Sequence, residues 1–154
     1  EDTFYTKKQI RQRLNIPVLG LWYQLDNHHD GEEELQTSLA VQSVMNQDVI
    51  FADIIKGNYA EQFYEQYTSI FSSKENGSLQ TISYPIIRQE EYDKLENANV
   101  ILVIPFGVPC ANQAEDIVCE LQRRNCHIAG AVLTNCNYKW VKAYYNKFST
   151  VRGK

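Results

Sequence analysis

Val100-Ile-Leu-Val-Ile104, followed by Pro105-Phe-Gly-Val-Pro109, a helical pattern from about Asn112 to Arg124, and Ile128-Ala-Gly-Ala-Val-Leu133, decide the fold class. An apolar run with no polar alternation, bounded by Pro and Gly, predicts a strand buried on both faces, as in a parallel sheet. Ala114, Ile117, Val118 and Leu121 recur at the spacing of one helix face. Asn112, three residues before Glu115, predicts a capping box, and Arg123 and Arg124 fall where the helix dipole favours cations. Strand, helix, strand is a βαβ crossover, which is almost always right-handed. Val100–Ile104 and Ile128–Leu133 are therefore expected as neighbouring parallel strands in the interior of a sheet.

Before this unit, Thr6 and Gln9 form a capping-box pair opening a short helix. Ile10 and Leu14 lie on its inner face, and Asn15 is its C-terminal cap. Pro17 pushes Ile16 out of the helical region, so Ile16–Trp22 reads as extended. Asp26-Asn-His-His-Asp-Gly31 reads as a solvated polar loop, because adjacent histidines rarely converge on a metal without further ligands. A helix follows from Glu32 to about Asn46, with Leu35 and Leu39 one turn apart. Val49–Ile55 fits a strand or a short buried helix ending at Gly57. Asn58 with Glu61 starts a helix carrying Phe63, Tyr67, Ile70 and Phe71 on one face. Leu79–Ser83 alternates as a short strand, Arg88–Asn97 forms a short helix, and Tyr138–Phe148 closes the chain with Val141, Tyr145 and Phe148 on one side. That side predicts a packed helix rather than a free tail. The total is a doubly wound α/β domain with a mostly parallel sheet of four to five strands and helices on both faces.

The 154 residues suit one domain with one core. With 44% hydrophobic and 22% charged residues, the composition is that of a globular domain. A net charge of -4 argues against broad affinity for nucleic acid. Cys110, Cys119, Cys126 and Cys136 show no Cys-x-x-Cys spacing and read as reduced thiols. Beginning with Glu1, the chain reads as a fragment of a longer protein.

No nucleotide-loop, dinucleotide, nucleophile-elbow or zinc-protease motif occurs, and His28, His29 and His127 have no nucleophile at a diagnostic spacing. Ligands of doubly wound folds sit beyond the carboxyl ends of the strands, so 105–111 is the place to look. Gly107, Asn112 and Asn135 are the candidates for an anion site there. No residue qualifies as a metal ligand or catalytic group, and no cofactor is expected. One alternative from another class remains: a small-ligand or cysteine-dependent enzyme of flavodoxin-like fold. In it, Cys110 would have its pKa lowered by the helix N-terminus.

Three segments resemble the cytoplasmic domains of bacterial polysaccharide chain-length determinants and capsular tyrosine kinases. Leu14-Asn-Ile-Pro-Val-Leu-Gly20 is similar to that family's helix end and Gly-Leu-Pro-Val-Leu-Gly. Leu35-Gln-Thr-Ser-Leu39 is similar to its Leu-Arg-Thr-Asn/Ser-Leu, and Gly130-Ala-Val-Leu-Thr134 to its Gly-x-Val-Leu-Asn. Phe51-Ala-Asp-Ile-Ile-Lys-Gly57 resembles a Gly-Leu-x-Asp-x-Leu-x-Gly element, and the segments keep the family's order. The resemblance implies a degenerate phosphate-loop fold at the cytoplasmic face of the bacterial membrane, held there through an upstream segment absent from this chain. It implies protein partners in a polysaccharide export assembly and self-association, with no nucleic acid.

The departures concern the nucleotide site. The phosphate loop is expected between the Leu35 helix and the Phe51 element, yet no glycine occurs from Glu32 to Lys56. The strand best matching the family's magnesium-binding one, Leu79–Ile86, lies in a stretch without an acidic residue from Asn76 to Gln89. Thr134 replaces the adenine-side Asn, although Asn135 follows. Away from that site, the Glu-x-x-Arg-x-x-Arg oligomerisation motif would fall on Asp30, Glu33 and Gln36, so both its arginines are gone. The resemblance therefore implies a pseudokinase-like regulatory or scaffolding domain. Tyr138, Tyr144 and Tyr145 stand where the related kinases carry phosphorylated tyrosines.

Overall fold

The computed structural model describes residues 2–25, 31–44, 49–70, 80–82, 93, 95–96 and 99–152, without side chains at 80–82 and 146–152. The elements are α1 (Lys7–Leu14), β1 (Val18–Tyr23), α2 (Glu32–Ser43), β2 (Val49–Asp53), α3 (Tyr59–Ile70), β3 (Gln80–Ile82), β4 (Asn99–Pro105), α4 (Ala111–Arg123), β5 (His127–Cys136) and α5 (Tyr138–Arg152). The strands form one sheet in the order β1-β5-β4-β2-β3, and every pairing is parallel. β4 lies between β2 and β5, and β5 between β4 and β1, with Ile104 opposite Leu133 and Pro105 opposite Thr134. The two apolar runs are thus interior neighbours, as their lack of alternation predicts.

Each face of the sheet carries its own core. Ile50, Ala52, Val100, Leu102 and Ile104 pack with Ile10 and Leu14 of α1, Ile117 and Leu121 of α4 and Val141 of α5. Val49, Phe51, Ile101 and Val103 pack with Val41 of α2 and Phe63 and Tyr67 of α3. The fold is a doubly wound α/β domain, and Val49–Asp53 resolves as a strand with all five residues buried.

Local signals account for α1 closely. Thr6 Oγ1 accepts from Gln9 N–H at 3.1 Å, Gln9 Oε1 accepts from Thr6 N–H at 3.1 Å, and Asn15 adopts the left-handed conformation at φ 54°. Two expectations are corrected. The buried side of α2 is Thr37, Ser38 and Val41, whereas Leu35 and Leu39 each stay 47% exposed. The reason is a close approach: Thr37 Oγ1 donates to the Leu21 carbonyl at 2.8 Å over Gly20, where an added Cβ would stand 2.8 Å from Thr37 Cβ. Ile70 is likewise exposed, although Phe63 and Tyr67 beside it are buried. Gly130 repeats the device on β5, where a Cβ would come within 2.9 Å of the Pro17 carbonyl.

The His28–His29 loop, Phe71, most of the Arg88–Asn97 segment and the side chain of Phe148 lie outside the described residues. Of that predicted helix, Leu95 is buried. Tyr138–Arg152 is helical, with Val141 buried and Tyr145 42% exposed.

Candidate functional site

β2 continues through α3 to β3 on one side, and β4 continues through α4 to β5 on the other. The adjacent strands β2 and β4 therefore send their chains in opposite directions, with α3 and α4 on opposite faces. The crevice beyond their carboxyl ends is the topological switch point, where doubly wound folds hold ligands. It is framed by the turn 54–58 and the loop 106–110, each leading into a helix N-terminus. Free N–H groups and the helix dipole make such termini anion-binding positions.

At the first turn, the anion is the protein's own. Asp53 ends β2 with no exposed surface, and its Oδ1 accepts from Ala60 N–H in the first turn of α3 at 2.8 Å. Burial raises its pKa from 3.8 to about 6, against the pull of the Ala60 and Tyr59 N–H groups, and Glu61 raises it further. Oδ2 is buried without a hydrogen-bond partner among the described residues. The expected Asn58 cap is thereby corrected. Asn58 lies in the left-handed region at φ 55°, its carbonyl accepts from Gln62 N–H, and the side-chain cap comes from Asp53. Lys56 and Gly57 are exposed in this turn, and an added Cβ at Gly57 would strike the Tyr59 ring.

The second loop is closed from the N-terminal segment. Asp2 places its carbonyl on Cys110 N–H and Ala111 N–H at 2.7 and 3.0 Å, and its carboxylate Oδ1 on Asn112 N–H at 2.7 Å. Thr3 forms an antiparallel bridge with Pro109, and Gly107 N–H donates to the Phe4 carbonyl at 3.0 Å. The Asn112–Glu115 capping box is corrected: Cys110 is the N-cap residue. Asn112 Oδ1 instead accepts from Arg13 Nη2 at 2.7 Å, and Arg13 also pairs with Glu115, tying α1 to α4. Of the three anion candidates, Gly107 and Asn112 thus have their backbone donors engaged by this chain. Asn135, at φ 55°, follows Thr134, whose carbonyl accepts from Phe106 N–H at 2.9 Å. The sheet brings Asn135 to the same carboxyl edge as Gly107.

Cys110 is the buried, idle thiol that the leading reading expects, and the lowered pKa of the cysteine-enzyme alternative is not found. It is fully buried, and its pKa is pushed up to about 12, first by burial and then by the Asp2 carboxylate. A thiol so held is not a nucleophile near neutral pH.

No protein-family model, curated protein or solved structure matches this chain. Among the described residues, no group of three or more His, Cys, Asp or Glu is placed to hold a metal ion, and no helix is long and apolar enough to cross a membrane. Sequence reasoning missed the capping roles of Asp53 and Asp2, although Asp53 falls on the acid of the Gly-Leu-x-Asp-x-Leu-x-Gly resemblance. The local signal for the Asp53 cap is an acid at the end of an apolar strand, seven residues before the N–H it caps. Asp2 acts across 110 residues and leaves no local signal. Electrostatically, the two helix termini that would attract a phosphate already face carboxylates.

Proposed function

We propose that this is a non-catalytic regulatory or scaffolding domain of bacterial capsular or exopolysaccharide biosynthesis and export, working at the cytoplasmic face of the membrane through protein partners. The observation that carries the non-catalytic part is the pair of intramolecular carboxylates on the α3 and α4 termini. A phosphate loop is a strand, a turn rich in backbone donors, and a helix N-terminus. β2, 54–58 and α3 have that sequence of elements, in the stretch that resembles the family's Gly-Leu-x-Asp-x-Leu-x-Gly element rather than its phosphate loop. Asp53 stands in it where phosphate oxygens would be held, and a second anion beside a buried carboxylate is repelled. Phosphoryl transfer further needs a lysine on the phosphates and ligands for magnesium. Lys56 precedes Gly57 and is exposed, outside any glycine-rich cradle.

The polysaccharide assignment rests on the four motif segments and their order. The packing supports it to this extent: Gly20 meets Thr37, and Gly130 meets Pro17 and Leu19, so three of the segments form one packed unit. The cysteine-enzyme alternative loses its support with the raised pKa of Cys110. Calorimetric titration with ATP, with and without magnesium, tests the non-catalytic reading. No magnesium-dependent binding is expected, and micromolar magnesium-dependent affinity overturns it.

A further inference from the structure

The charge of this chain is distributed in two blocks. Residues 128–154 hold five Lys/Arg and no Asp/Glu, so the net -4 of the whole chain leaves -9 on residues 1–127. The cations belong mostly to α5, which carries Lys139, Lys142, Lys147 and Arg152. Lys139 and Lys142 are exposed, and Lys142 Nζ lies 5.9 Å from the Tyr138 ring centroid. On the same helix Trp140 keeps 37% and Tyr145 42% of its surface in water, whereas Val141 is buried. Asymmetry of this kind points to an anionic partner.

We propose that α5 docks this domain onto an anionic lipid surface, with Lys139 and Lys142 against lipid phosphates and the exposed edge of Trp140 at headgroup level. The apolar side of α5 is packed on the domain at Val141, so its exposed lysines meet the lipid as a juxtaposed basic surface, held by attraction to anionic headgroups. Tryptophan suits that position because its ring is apolar and its N–H is polar. The aromatic geometry favours lipid over a single-stranded nucleic acid. Trp140 already stacks on Tyr5 (5.2 Å between centroids, 25° between planes) and on Tyr144 (5.0 Å, 11°), with Phe106 edge-on at 5.3 Å. Binding of unpaired bases needs open ring faces, and this ring is already stacked by two neighbours. Contact with headgroups needs only its rim. The acidic remainder of the domain repels an anionic surface, so docking through α5 fixes one orientation. The proposal is independent of the closed switch point, and nucleotide titration and lipid binding succeed or fail separately.

Co-sedimentation of the full chain with vesicles of phosphatidylcholine alone, and with about a third phosphatidylglycerol, is the test. Binding is expected only to the anionic vesicles and is expected to weaken as salt rises. K139E/K142E is expected to lower that affinity about 30-fold or more, because each lysine near an anionic surface contributes a factor of about five. Far-UV circular dichroism checks that the double variant stays folded. In the unaltered chain, brominated lipid is expected to quench tryptophan emission, which reports Trp140 because Trp22 is buried. Equal binding to neutral vesicles, no binding to anionic ones, or no quenching each overturns the proposal. So does tighter binding of a single-stranded oligonucleotide or of polyglutamate than of the anionic vesicles.

Discussion

Replacing Asp53 by Asn tests whether the carboxylate at the end of β2 is a costly occupant of its site. The pKa rises from 3.8 to about 6 in the folded chain, so ionised Asp53 is disfavoured there by about 3 kcal/mol relative to its solvated state. Stability from this group is fully present below pH 3.8 and is lost as the pH rises through about 6. At neutral pH the wild type therefore bears nearly the whole cost. Asparagine keeps an oxygen for the Ala60 N–H and carries no charge, which removes the desolvation penalty. Against this, it buries an amide donor where Oδ2 has no partner among the described residues, at a cost of about 1–2 kcal/mol. Asp53→Asn is expected to be about 1–2 kcal/mol more stable than the wild type at pH 7. Between pH 7 and pH 5 the wild type is expected to recover about 1.4 kcal/mol from protonation of this residue, while the variant does not. Urea unfolding of both proteins at the two pH values measures the gap, and the other carboxylates cancel in the difference. A gap that stays constant with pH, or a variant less stable at pH 7, refutes the argument. Asp53→Ala, which also removes the cap, is expected to fall below Asp53→Asn by about 1 kcal/mol at either pH.

Other sites give shorter tests. Gly20→Val is expected to destabilise the domain by about 2 kcal/mol or more, since its side chain would lift α2 off β1 at Thr37; chemical unfolding measures this. Thr6→Ala is expected to cost about 1 kcal/mol by loss of the reciprocal cap with Gln9, again by unfolding. A thiol reagent applied to the native protein is expected to label Cys119, which is exposed. Cys110, Cys126 and Cys136 are buried with raised pKa values, so comparable labelling of Cys110 by peptide mapping would restore the cysteine-enzyme reading. Limited proteolysis is expected to spare the bond after Tyr138, which sits in α5 with Val141 buried beside it, and rapid cleavage there would mean an undocked tail.

The parts of this fold legible in the sequence are those specified by short-range periodicity. The apolar runs of β4 and β5, the α4 face and the Thr6–Gln9 cap each depend on residues within a few positions, and the structure realises all of them. The failures share a different cause. Leu35 and Leu39 dominate the pattern of α2, yet its packing is decided by the missing Cβ of Gly20 on another element, which lets Thr37 in and leaves the leucines outside. Asn58 and Asn112 hold good capping positions by spacing, but each helix terminus is taken by an acid from elsewhere. A carboxylate carries more charge to a helix dipole than an amide does, and it wins once tertiary structure brings it within reach.

That same competition bears on function. Where a ligand phosphate caps a helix at a switch point, the apo fold leaves a buried terminus unsatisfied, and binding supplies the missing anion. Here Asp53 and Asp2 each place a carboxylate on one of these termini from within the chain. Oδ2, without a partner among the described residues, and the raised pKa of Asp53 indicate that this carboxylate is held less well than a solvated one. Asp53 stays in this site at a cost in stability, and glycine at the same position would reopen the α3 terminus. Asp53→Gly is accordingly expected to gain stability on addition of inorganic phosphate, while the wild type does not, as read by the shift of the thermal midpoint. Equal shifts in both proteins would mean that the α3 terminus is not the anion position, and the account of the closed crevice would fall with it.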